Sequence, residues 1–385
     1  MSLVLCVLYP DPQAGYPPPY IRDGLPPGQF AENPTTPKPQ GQLGFTPGEL
    51  LGCVSGELGL RKFLEAGGHQ LVVTSDTDGT ESVFERYLPE AEVVISQPFW
   101  PAYLTAERIG RAKNLKLALT AGVGSDHVDL DAVAAAGVTV AEVTGANYAS
   151  VTEHVVMMTL ALVRNYLPAH GLSVNGVWNV ADCVERGYDV EGMSFGTVGA
   201  GRIGLAVLQR LKAFELDLHY TQRHRLATEV ERELGLTFHP DAESLVSNVD
   251  IVNLMLPLYP STRHLLDAAM FAKMRRGTYV INCARGELVD RDALVQAVHS
   301  GQVAGYAGDV WYPQPAGINH PWRTMPFNGM TPHISGTTLS AQARYAAGTL
   351  AILQRYLSGQ PIDEEYLIVH GGGLAGTGAQ SYQLS

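Results

Sequence analysis

The sequence predicts an α/β fold with two domains, each built on a parallel β-sheet. Short runs rich in β-branched residues, such as HQLVVTSD, EVVISQPFW and VDIVNLMLPL, alternate along the chain with amphipathic segments. This alternation is typical of buried parallel strands joined by crossover helices. A length of 385 residues, 45% of them hydrophobic, suits two domains with sizeable cores. We therefore expect two Rossmann-like domains, one from residues 1–147 plus 335–385 and the other from residues 148–334.

The elements follow in order along the chain. LVLCVLY near the N-terminus predicts a buried strand, and the Pro- and Gly-rich segment 15–44 predicts an extended stretch over a surface or a long loop. Ser150 to Tyr166 is apolar enough for a buried helix, which could bridge the two domains. A last amphipathic helix, roughly Ser340 to Leu357, is expected to pack back on the first domain. The tail GGGLAGTGAQSYQLS has no periodicity, so it is either disordered or covers a surface.

Composition excludes several classes of function. The formal charge of −12, without a basic block, argues against nucleic acids and anionic membranes as partners. No apolar run is long enough for a transmembrane helix, and the N-terminus resembles a core strand more than a signal peptide. The four cysteines lack a disulfide framework, which favours a reducing cytoplasm. The twelve histidines form no metal-ligand spacing, so we expect no metal.

A glycine-rich turn predicts a dinucleotide site. Gly199, Gly201 and Gly204, with Arg202 and Ile203 between them, match G-x-G-x-x-G between the strand SFGTV and a helical segment. Glycines there permit a tight turn, close approach of the backbone to a pyrophosphate, and close packing of helix on strand, while the helix N-terminus offers N–H groups to phosphates. The alternative is a purely structural turn, which such a motif also permits.

The stretch YTQRHR indicates which dinucleotide. An Asp or Glu normally ends the second strand and accepts hydrogen bonds from the ribose hydroxyls of NAD, but Gln222 stands there. An acid would repel the 2′-phosphate of NADP by roughly 4 kcal/mol at 4 Å and an effective dielectric constant near 20. Gln222 removes that repulsion, and Arg223 with His224 beside it can pair with the phosphate. The alternative is that Arg223 and His224 are merely solvated residues at a strand end.

Further motifs resemble one family in order and spacing. SQPFWPAYL, AGVGSDHVDLDA, TEHVVMM, GAGRIG, ARGELVDRDAL, AGYAGDVWYPQPA and NGMTPHISGTTLSAQARYAAGT run from about residue 90 to the C-terminus. The chain resembles the NAD(P)-dependent formate dehydrogenases of the D-specific 2-hydroxyacid dehydrogenase superfamily. The resemblance implies a catalytic (substrate) domain from residues 1–147 and 335–385, a coenzyme domain from 148–334, and an active-site cleft between them. It also implies a homodimer joined through the coenzyme domains.

The resemblance assigns roles to four catalytic residues. Arg285 and Asn147 would anchor formate, one as a permanent cation and the other as an amide donor. His333 matches the histidine that works as acid and base in the hydroxyacid dehydrogenases, where a glutamate polarises it. Here the partner position is Gln314, a neutral side chain that suits a reaction without proton transfer. The alternatives are a satisfied core role for His333 and a structural ion pair for Arg285.

The remaining site residues follow from the same resemblance. Phe99 and Trp100 would wall a small apolar pocket closed by Val123, although two aromatics between prolines also suit a rigid core turn. Asp309, Ser335 and Gly336 would lie near the nicotinamide carboxamide, and the alternative for Asp309 is a helix cap. Further cofactor contacts are expected from Pro257, Thr262, Cys283 and Gln380. Cys283 departs from the usual threonine and is a candidate oxidation site if it is exposed.

The sequence therefore predicts oxidation of formate to CO2 with NADP+, and with NAD+ as the weaker cofactor. The competing enzyme is an NADPH-dependent D-2-hydroxyacid or glyoxylate reductase. A non-catalytic NADP-sensing protein is a third possibility, because dehydrogenase folds are recruited for such roles. The loss of Arg285 or His333 would mark that third possibility, and both residues are present.

Overall fold

The computed structural model describes residues 1–9 and 58–384 of the chain. The predicted Pro-rich stretch 15–44 lies outside these residues. The chain forms two compact units, Met1–Asn147 with Thr337–Ser385, and Tyr148–Gly336. The predicted boundaries were 147/148 and 334/335.

The first unit is built on a mostly parallel sheet. Its described strands are β1 (Leu3–Val7), β2 (Gln70–Thr74), β3 (Val93–Ser96), β4 (Leu117–Thr120), β5 (Thr139–Glu142), β13 (Leu367–His370) and β14 (Gly373–Leu374). They lie in the order β14-β13-β5-β4-β3-β1-β2, and only β13 and β14 run antiparallel to their neighbours. The helices are α1 (Arg61–Ala66), α2 (Val83–Tyr87), α3 (Ala106–Arg111), α4 (Leu130–Ala135) and α13 (Leu339–Leu357). The predicted N-terminal strand is thus confirmed.

Both faces of this sheet are buried, which explains why its central strands are almost continuously apolar. One face packs with α13, whose Ala346 and Leu353 share a core with Cys6 and Leu119. The last helix is therefore confirmed in its extent and in its packing on the first unit. It begins after Thr338, whose side chain accepts a hydrogen bond from the Ala341 N–H at 3.1 Å.

The C-terminal tail covers a surface, the second of the two predicted alternatives. Strands β13 and β14 form a hairpin, and a 3-10 turn follows at Gly378–Ser381. Gly376 has a φ of +71°, and a Cβ there would lie 2.0 Å from the Glu364 carbonyl oxygen. Only glycine can take this close turn.

The second unit is built on a parallel sheet. Its described strands are β6 (Ser194–Val198), β7 (Asp217–Thr221), β8 (Leu236–Phe238), β9 (Ile251–Leu254), β10 (Thr278–Asn282), β11 (Val303–Gly308) and β12 (Asn328–Met330). They lie in the order β12-β11-β10-β9-β6-β7-β8. The chain starts at β6, runs outward through β7 and β8, and returns to β9 on the other side of β6. In such doubly wound sheets ligands bind where the order reverses, at the carboxyl ends of the two central strands.

Helices cover this sheet. They are α5 (Tyr148–Val163), α6 (Tyr166–Val174), α7 (Val180–Val184), α8 (Arg202–Leu211), α9 (Thr228–Leu234), α10 (Ala242–Val246), α11 (Ala268–Lys273) and α12 (Arg291–His299). The predicted helix Ser150 to Tyr166 is α5, and its Val155 and Met158 pack in the second unit's core with Phe195 and Val207. Among the described helices, none is both long and apolar enough to cross a membrane.

Candidate active site

The glycine turn lies between β6 and α8, at the predicted point of the sheet. Gly199 has a φ of +96°, and a Cβ there would lie 2.3 Å from the Met255 carbonyl oxygen, so the turn tolerates no side chain. A Cβ at Gly204 would lie 2.0 Å from the Gly199 carbonyl oxygen. These two glycines serve the tight turn and the close packing of helix on strand.

Gly201 differs from its two neighbours because no described atom lies within 4 Å of a Cβ built on it. It caps α8, whose first turn offers the N–H groups of Arg202, Ile203 and Gly204 without helical acceptors. Open space in front of a helix N-terminus suits a pyrophosphate, which would receive these N–H groups and the positive end of the helix dipole. The residues present therefore fit a dinucleotide.

Gln222 braces the glycine turn. Its Oε1 accepts a hydrogen bond from the Ala200 N–H at 3.3 Å, and its Nε2 donates to the His224 carbonyl oxygen at 2.6 Å. The preceding residue, Thr221, accepts from the Gly199 N–H at 2.9 Å. The end of β7 and the turn are thus one hydrogen-bonded unit.

The two arginines of YTQRHR have different environments. Arg225 pairs with Glu231 through two hydrogen bonds of 2.8 and 2.9 Å, and Tyr220 donates to the same carboxylate. This contact with Arg225 is the leading cause that lowers the pKa of Glu231. Arg223 is exposed and makes no hydrogen bond or ion pair within the described part of the chain, and His224 beside it is exposed as well. Arg223 is therefore the arginine available to a ligand.

Arg285 follows β10 and precedes a 3-10 turn at Gly286–Leu288. Asn282, which is fully buried, holds this corner by donating to the Arg285 carbonyl oxygen at 2.9 Å. A Cβ at Gly286 would lie 2.5 Å from the carbonyl carbon of Trp311. The glycine after Arg285 thus lets the WYPQ segment pack directly against this corner, a contact that the motif ARG alone does not reveal.

The predicted partner of His333 is present. His333 Nδ1 lies 2.9 Å from Gln314 Oε1, and the backbone of His333 has a φ of +58°. An amide can accept from one imidazole nitrogen or, after a flip, donate to it, so the pair can orient the ring in either tautomer. It gives the imidazolium form no carboxylate to stabilise it.

Asp309 holds the segment that carries His333. Its buried carboxylate accepts hydrogen bonds from the Ile334 N–H at 2.8 Å, the Ser335 N–H at 2.7 Å and the Thr331 hydroxyl at 2.6 Å. These donors flank His333 on both sides, so they stabilise its left-handed backbone. These contacts differ from those of a helix cap, which was the alternative role for Asp309. A contact of Asp309 with nicotinamide stays a prediction.

Two residues of this network were not predicted. The Thr331 hydroxyl, whose proton is donated to Asp309, accepts a hydrogen bond from His154 Nε2 at 3.1 Å, and His154 Nε2 lies 4.0 Å from Asp309 Oδ1. Burial lowers the pKa of His154, and the charge of Asp309 acts in the opposite direction. Both residues belong to motifs that resemble the family, TEHVVMM and TPHIS, so their place in those motifs was the signal that sequence reasoning passed over.

In the first unit, the turn with Phe99 lies against the loop with Val123. A Cβ at Gly122 would lie 2.6 Å from Pro98 Cδ, so glycine is needed where the two loops meet. The Val123 N–H makes no hydrogen bond within the described residues. Two predicted pocket residues thus lie on neighbouring loops beside an available donor.

Trp100 is held by contacts that suit core packing. Its indole N–H donates to the Ser75 carbonyl oxygen at 2.9 Å, and its ring meets Tyr9 edge-on at 5.4 Å between centroids. It also packs against the apolar cluster that contains Phe84. Its role as a pocket wall stays a prediction.

Asn147 ends the first segment of the same unit. Its Oδ1 is buried without a hydrogen-bond partner in the described structure, and its amide contacts the Tyr345 hydroxyl. Burial is the main cause that raises the pKa of Tyr345, so this hydroxyl stays protonated and can donate. An amide flip would let Tyr345 donate to Oδ1 and turn Nδ2 towards the unpaired position. Buried polar atoms are normally hydrogen-bonded, so the Asn147 amide has the capacity for a further partner.

The remaining predicted contacts vary in setting. Thr262 staples the loop after β9 by donating to the Pro257 carbonyl oxygen at 2.9 Å. Cys283 is buried, so the condition for its oxidation is not met, and burial raises the pKa of its thiol well above the ordinary value. Gln380 is exposed in the 3-10 turn of the tail. Within the described residues there is no group of three or more His, Cys, Asp or Glu side chains that could hold a metal.

The chain is similar to known proteins over nearly its whole length. The family described as D-isomer specific 2-hydroxyacid dehydrogenase, NAD binding domain, matches residues 156–335. Formate dehydrogenase of Pseudomonas sp. strain 101 is 62% identical over 383 residues, which are 99% of this chain and 95% of the relative. The solved formate dehydrogenase of Granulicella m. has a TM-score of 0.89 and 61% identity, over 98% of this chain and 100% of that one.

The name of a third relative includes its cofactor. NAD-dependent formate dehydrogenase from Staphylococcus aureus, solved in complex with NAD, has a TM-score of 0.78 and 38% identity, over 95% of this chain and 99% of that one. These identities extend over nearly the whole chain and over both units. The chain belongs to the formate dehydrogenases of the D-isomer specific 2-hydroxyacid dehydrogenase family.

Proposed function

We propose that this protein oxidises formate to CO2 and transfers the hydride to NADP+, with NAD+ as a weaker acceptor. The observation that carries the formate assignment is the hydrogen bond between His333 and Gln314, because a neutral partner suits a reaction in which no substrate hydroxyl loses a proton. The neutral Gln222 at the end of β7 carries the NADP+ assignment. The Staphylococcus aureus relative is named for NAD, so the cofactor is where this proposal departs from it.

The proposed reaction requires the protein to bind formate and to orient it. A nicotinamide cofactor bound to the glycine turn would accept a hydride, with both electrons of the formate C–H bond, and CO2 would remain. Arg285 supplies a permanent cation to the carboxylate, and Asn147 and the Val123 N–H supply neutral donors. Phe99 would help to exclude water, which strengthens these electrostatic contacts. His333, oriented by Gln314, completes the polar contacts to the anion.

The cofactor residues divide into two groups. Gly199, Gly201 and Gly204, with the first turn of α8, would hold the pyrophosphate. Gln222 and Arg223 would face the 2′-phosphate. Gln222 carries no negative charge to repel it, and Arg223 is an exposed cation that makes no hydrogen bond or ion pair among the described residues.

Steady-state kinetics with both cofactors test this proposal. We expect reduction of NADP+ with formate to exceed reduction of NAD+ in kcat/KM, and D-lactate and D-glycerate to support no reduction. Activity with D-lactate or D-glycerate and none with formate would assign the hydroxyacid reductase instead. A higher kcat/KM with NAD+ would leave the formate assignment intact and reject the NADP+ one.

Replacing Gln314 by glutamate should make formate oxidation depend on pH. The new carboxylate would stabilise the imidazolium form of His333, and that cation would cancel the added charge. As pH rises and the imidazolium loses its proton, the carboxylate is left to repel formate. At roughly 7 Å and an effective dielectric constant near 20, this repulsion is about 2 kcal/mol, or roughly thirtyfold in kcat/KM.

The profile of kcat/KM against pH checks this expectation, with Gln314→Asn as a neutral control. We expect activity of Gln314→Glu near that of the wild type at low pH, and a loss as pH rises. The same pH profile in both variants would show that Gln314 does not act on His333.

We also propose that the protein is a homodimer joined through its second unit. Large apolar side chains are exposed along α6, α7 and their connection, with Trp178 92% exposed and Val174 66% exposed. An apolar groove on the same unit is lined by Met157, Leu167 and Phe327. Because a twofold interface repeats one surface on both copies, an exposed apolar segment and a groove on one unit can complement each other.

Replacing Trp178 by glutamate should convert this dimer to single chains. A buried interface tryptophan commonly contributes 2 kcal/mol or more, so we expect the dimer dissociation constant to rise by about thirtyfold or more. Light scattering after size-exclusion chromatography across a dilution series measures it. Ile318→Glu is the matched control, because Ile318 is 83% exposed elsewhere on the same unit. A wild-type chain that is monomeric, or an unchanged Trp178→Glu dimer, would contradict the assignment.

A further inference from the structure

A buried carboxylate that the proposed mechanism does not use lies at the end of β5. Glu142 is 2% exposed. Its Oε2 accepts hydrogen bonds from the Gly124 N–H at 3.0 Å, the Ser125 hydroxyl at 3.0 Å and the Tyr382 hydroxyl at 2.7 Å. Its Oε1 faces the Thr144 hydroxyl at 3.3 Å. Gly124 and Ser125 lie in the loop after β4, and Tyr382 lies in the C-terminal tail, far from β5 along the chain.

Tyr382 connects the C-terminal tail to that same loop. Besides donating to Glu142, its hydroxyl oxygen accepts from the Ser125 N–H at 2.7 Å, across 257 positions of sequence. Burial is the leading cause that raises the pKa of the Tyr382 hydroxyl well above its ordinary value, so the hydroxyl keeps the proton that it donates. The loop after β4 is therefore clamped between Glu142 and the tail.

The clamped loop is the one that carries Val123. Gly124, next in the chain, has a φ of +109° and donates to Glu142 through its N–H. The peptide between Val123 and Gly124 is thus held by the carboxylate. One peptide earlier in the loop, the Val123 N–H has no hydrogen-bond acceptor among the described residues. Gly122, which precedes Val123, lies against Pro98.

The charge of Glu142 also acts on the hydroxyl that contacts Asn147. The charge of Glu142 is one of the causes that raise the pKa of Tyr345, after burial, and the Tyr345 hydroxyl contacts the Asn147 amide. Glu142 therefore holds the Val123 loop through a hydrogen bond and acts electrostatically on the hydroxyl that contacts the Asn147 amide.

We propose that Tyr382, through Glu142 and Ser125, is a positioning residue for formate oxidation: the tail holds the Val123 loop in the geometry that binds formate. This inference rests on the formate activity proposed above. Tyr382 itself touches no reacting atom. Without the Tyr382 hydroxyl, the Ser125 N–H loses its acceptor and Glu142 loses one of its donors. The loop that carries Val123 would then be held less firmly.

Tyr382→Phe tests this role, because phenylalanine keeps the ring packed and removes only the hydroxyl. Since a displacement of about 1 Å can cost up to about a hundredfold in rate, we expect kcat/KM for formate to fall by about tenfold to a hundredfold. We expect the dissociation constant for NADP+, measured by fluorescence without formate, to stay within about twofold of the wild type. The isotope effect on kcat with deuterated formate should rise, because a mispositioned substrate makes hydride transfer rate-limiting.

The matched control is Tyr356→Phe, which removes another tyrosine–glutamate hydrogen bond in the same unit, 2.9 Å long and to Glu92. Ser125→Ala is the second variant, and its effect should not add to that of Tyr382→Phe, because both act through Glu142. The inference is overturned if Tyr382→Phe retains wild-type kcat/KM, if Tyr356→Phe loses as much, or if formate and NADP+ binding weaken together as in general loosening. A wild-type protein inactive with formate would instead overturn the proposed function, so the two failures are distinct.

Discussion

Replacing Gln222 with aspartate should lower kcat/KM with NADP+ by about three orders of magnitude and raise it with NAD+. The carboxylate would stand a few ångströms from the 2′-phosphate, where like charges repel by roughly 4 kcal/mol at an effective dielectric constant near 20. With NAD+ the same carboxylate would accept hydrogen bonds from the ribose hydroxyls. This change isolates one charge at one position of the site.

The structure explains why the variant should keep its fold. An aspartate oxygen can replace Oε1 of Gln222 as the acceptor of the Ala200 N–H, and only the hydrogen bond to the His224 carbonyl is lost. Gln222→Asn is the control, since it shortens the side chain without adding charge and should retain the preference for NADP+. Equal efficiency with NADP+ before and after Gln222→Asp would refute the charge argument.

Replacing Arg285 with glutamine should almost abolish formate oxidation. Hydrogen bonds to charged groups contribute about 1.5–3 kcal/mol each, so the loss of two of them lowers kcat/KM by roughly 10²- to 10⁴-fold. Binding of NADP+ should change little, because the glycine turn lies after β6 and Arg285 lies after β10. Kinetics with formate and a separate titration with NADP+ measure the two effects.

Two further variants interpret that result. Arg285→Lys keeps the positive charge but loses the planar guanidinium that can make two parallel hydrogen bonds. Its kcat/KM with formate should therefore lie between that of Arg285→Gln and that of the wild type. Arg291→Gln is the matched control, because Arg291 is a surface residue on α12 that pairs with its neighbour Asp292. If Arg285→Gln oxidised formate like the wild type, Arg285 would be a structural residue of the corner after β10.

The sequence predicted what depends on short-range pattern. The glycine turn, the strand before it and the helix after it stand next to one another in the chain, and their chemistry demands glycine at set positions. The parallel strands of the two sheets follow from the same reasoning, because buried strands and covering helices have different periods of hydrophobic residues. The extent of α13 was predicted from its period as well.

Contacts between residues far apart in the chain were harder to predict from the sequence. The two arginines of YTQRHR look alike in sequence and both are exposed, but Arg225 pairs with Glu231 on the next helix and Arg223 makes no ion pair among the described residues. The pairing of Gln314 with His333 was predicted only because a related family pairs a glutamate there. Without that resemblance, nothing local connects two residues on different loops.

The sequence by itself therefore determined the fold class, the dinucleotide turn and the missing acid at Gln222, because each is written in consecutive residues. Tertiary structure alone decided that Tyr382 of the tail lies against Glu142, that Gly286 lets Trp311 pack beside Arg285, and that Asp309 holds both sides of His333. The physical reason is that a buried polar group must find a partner. That partner is chosen by which loops meet at the carboxyl edge of a sheet, and sequence distance carries no information about that meeting.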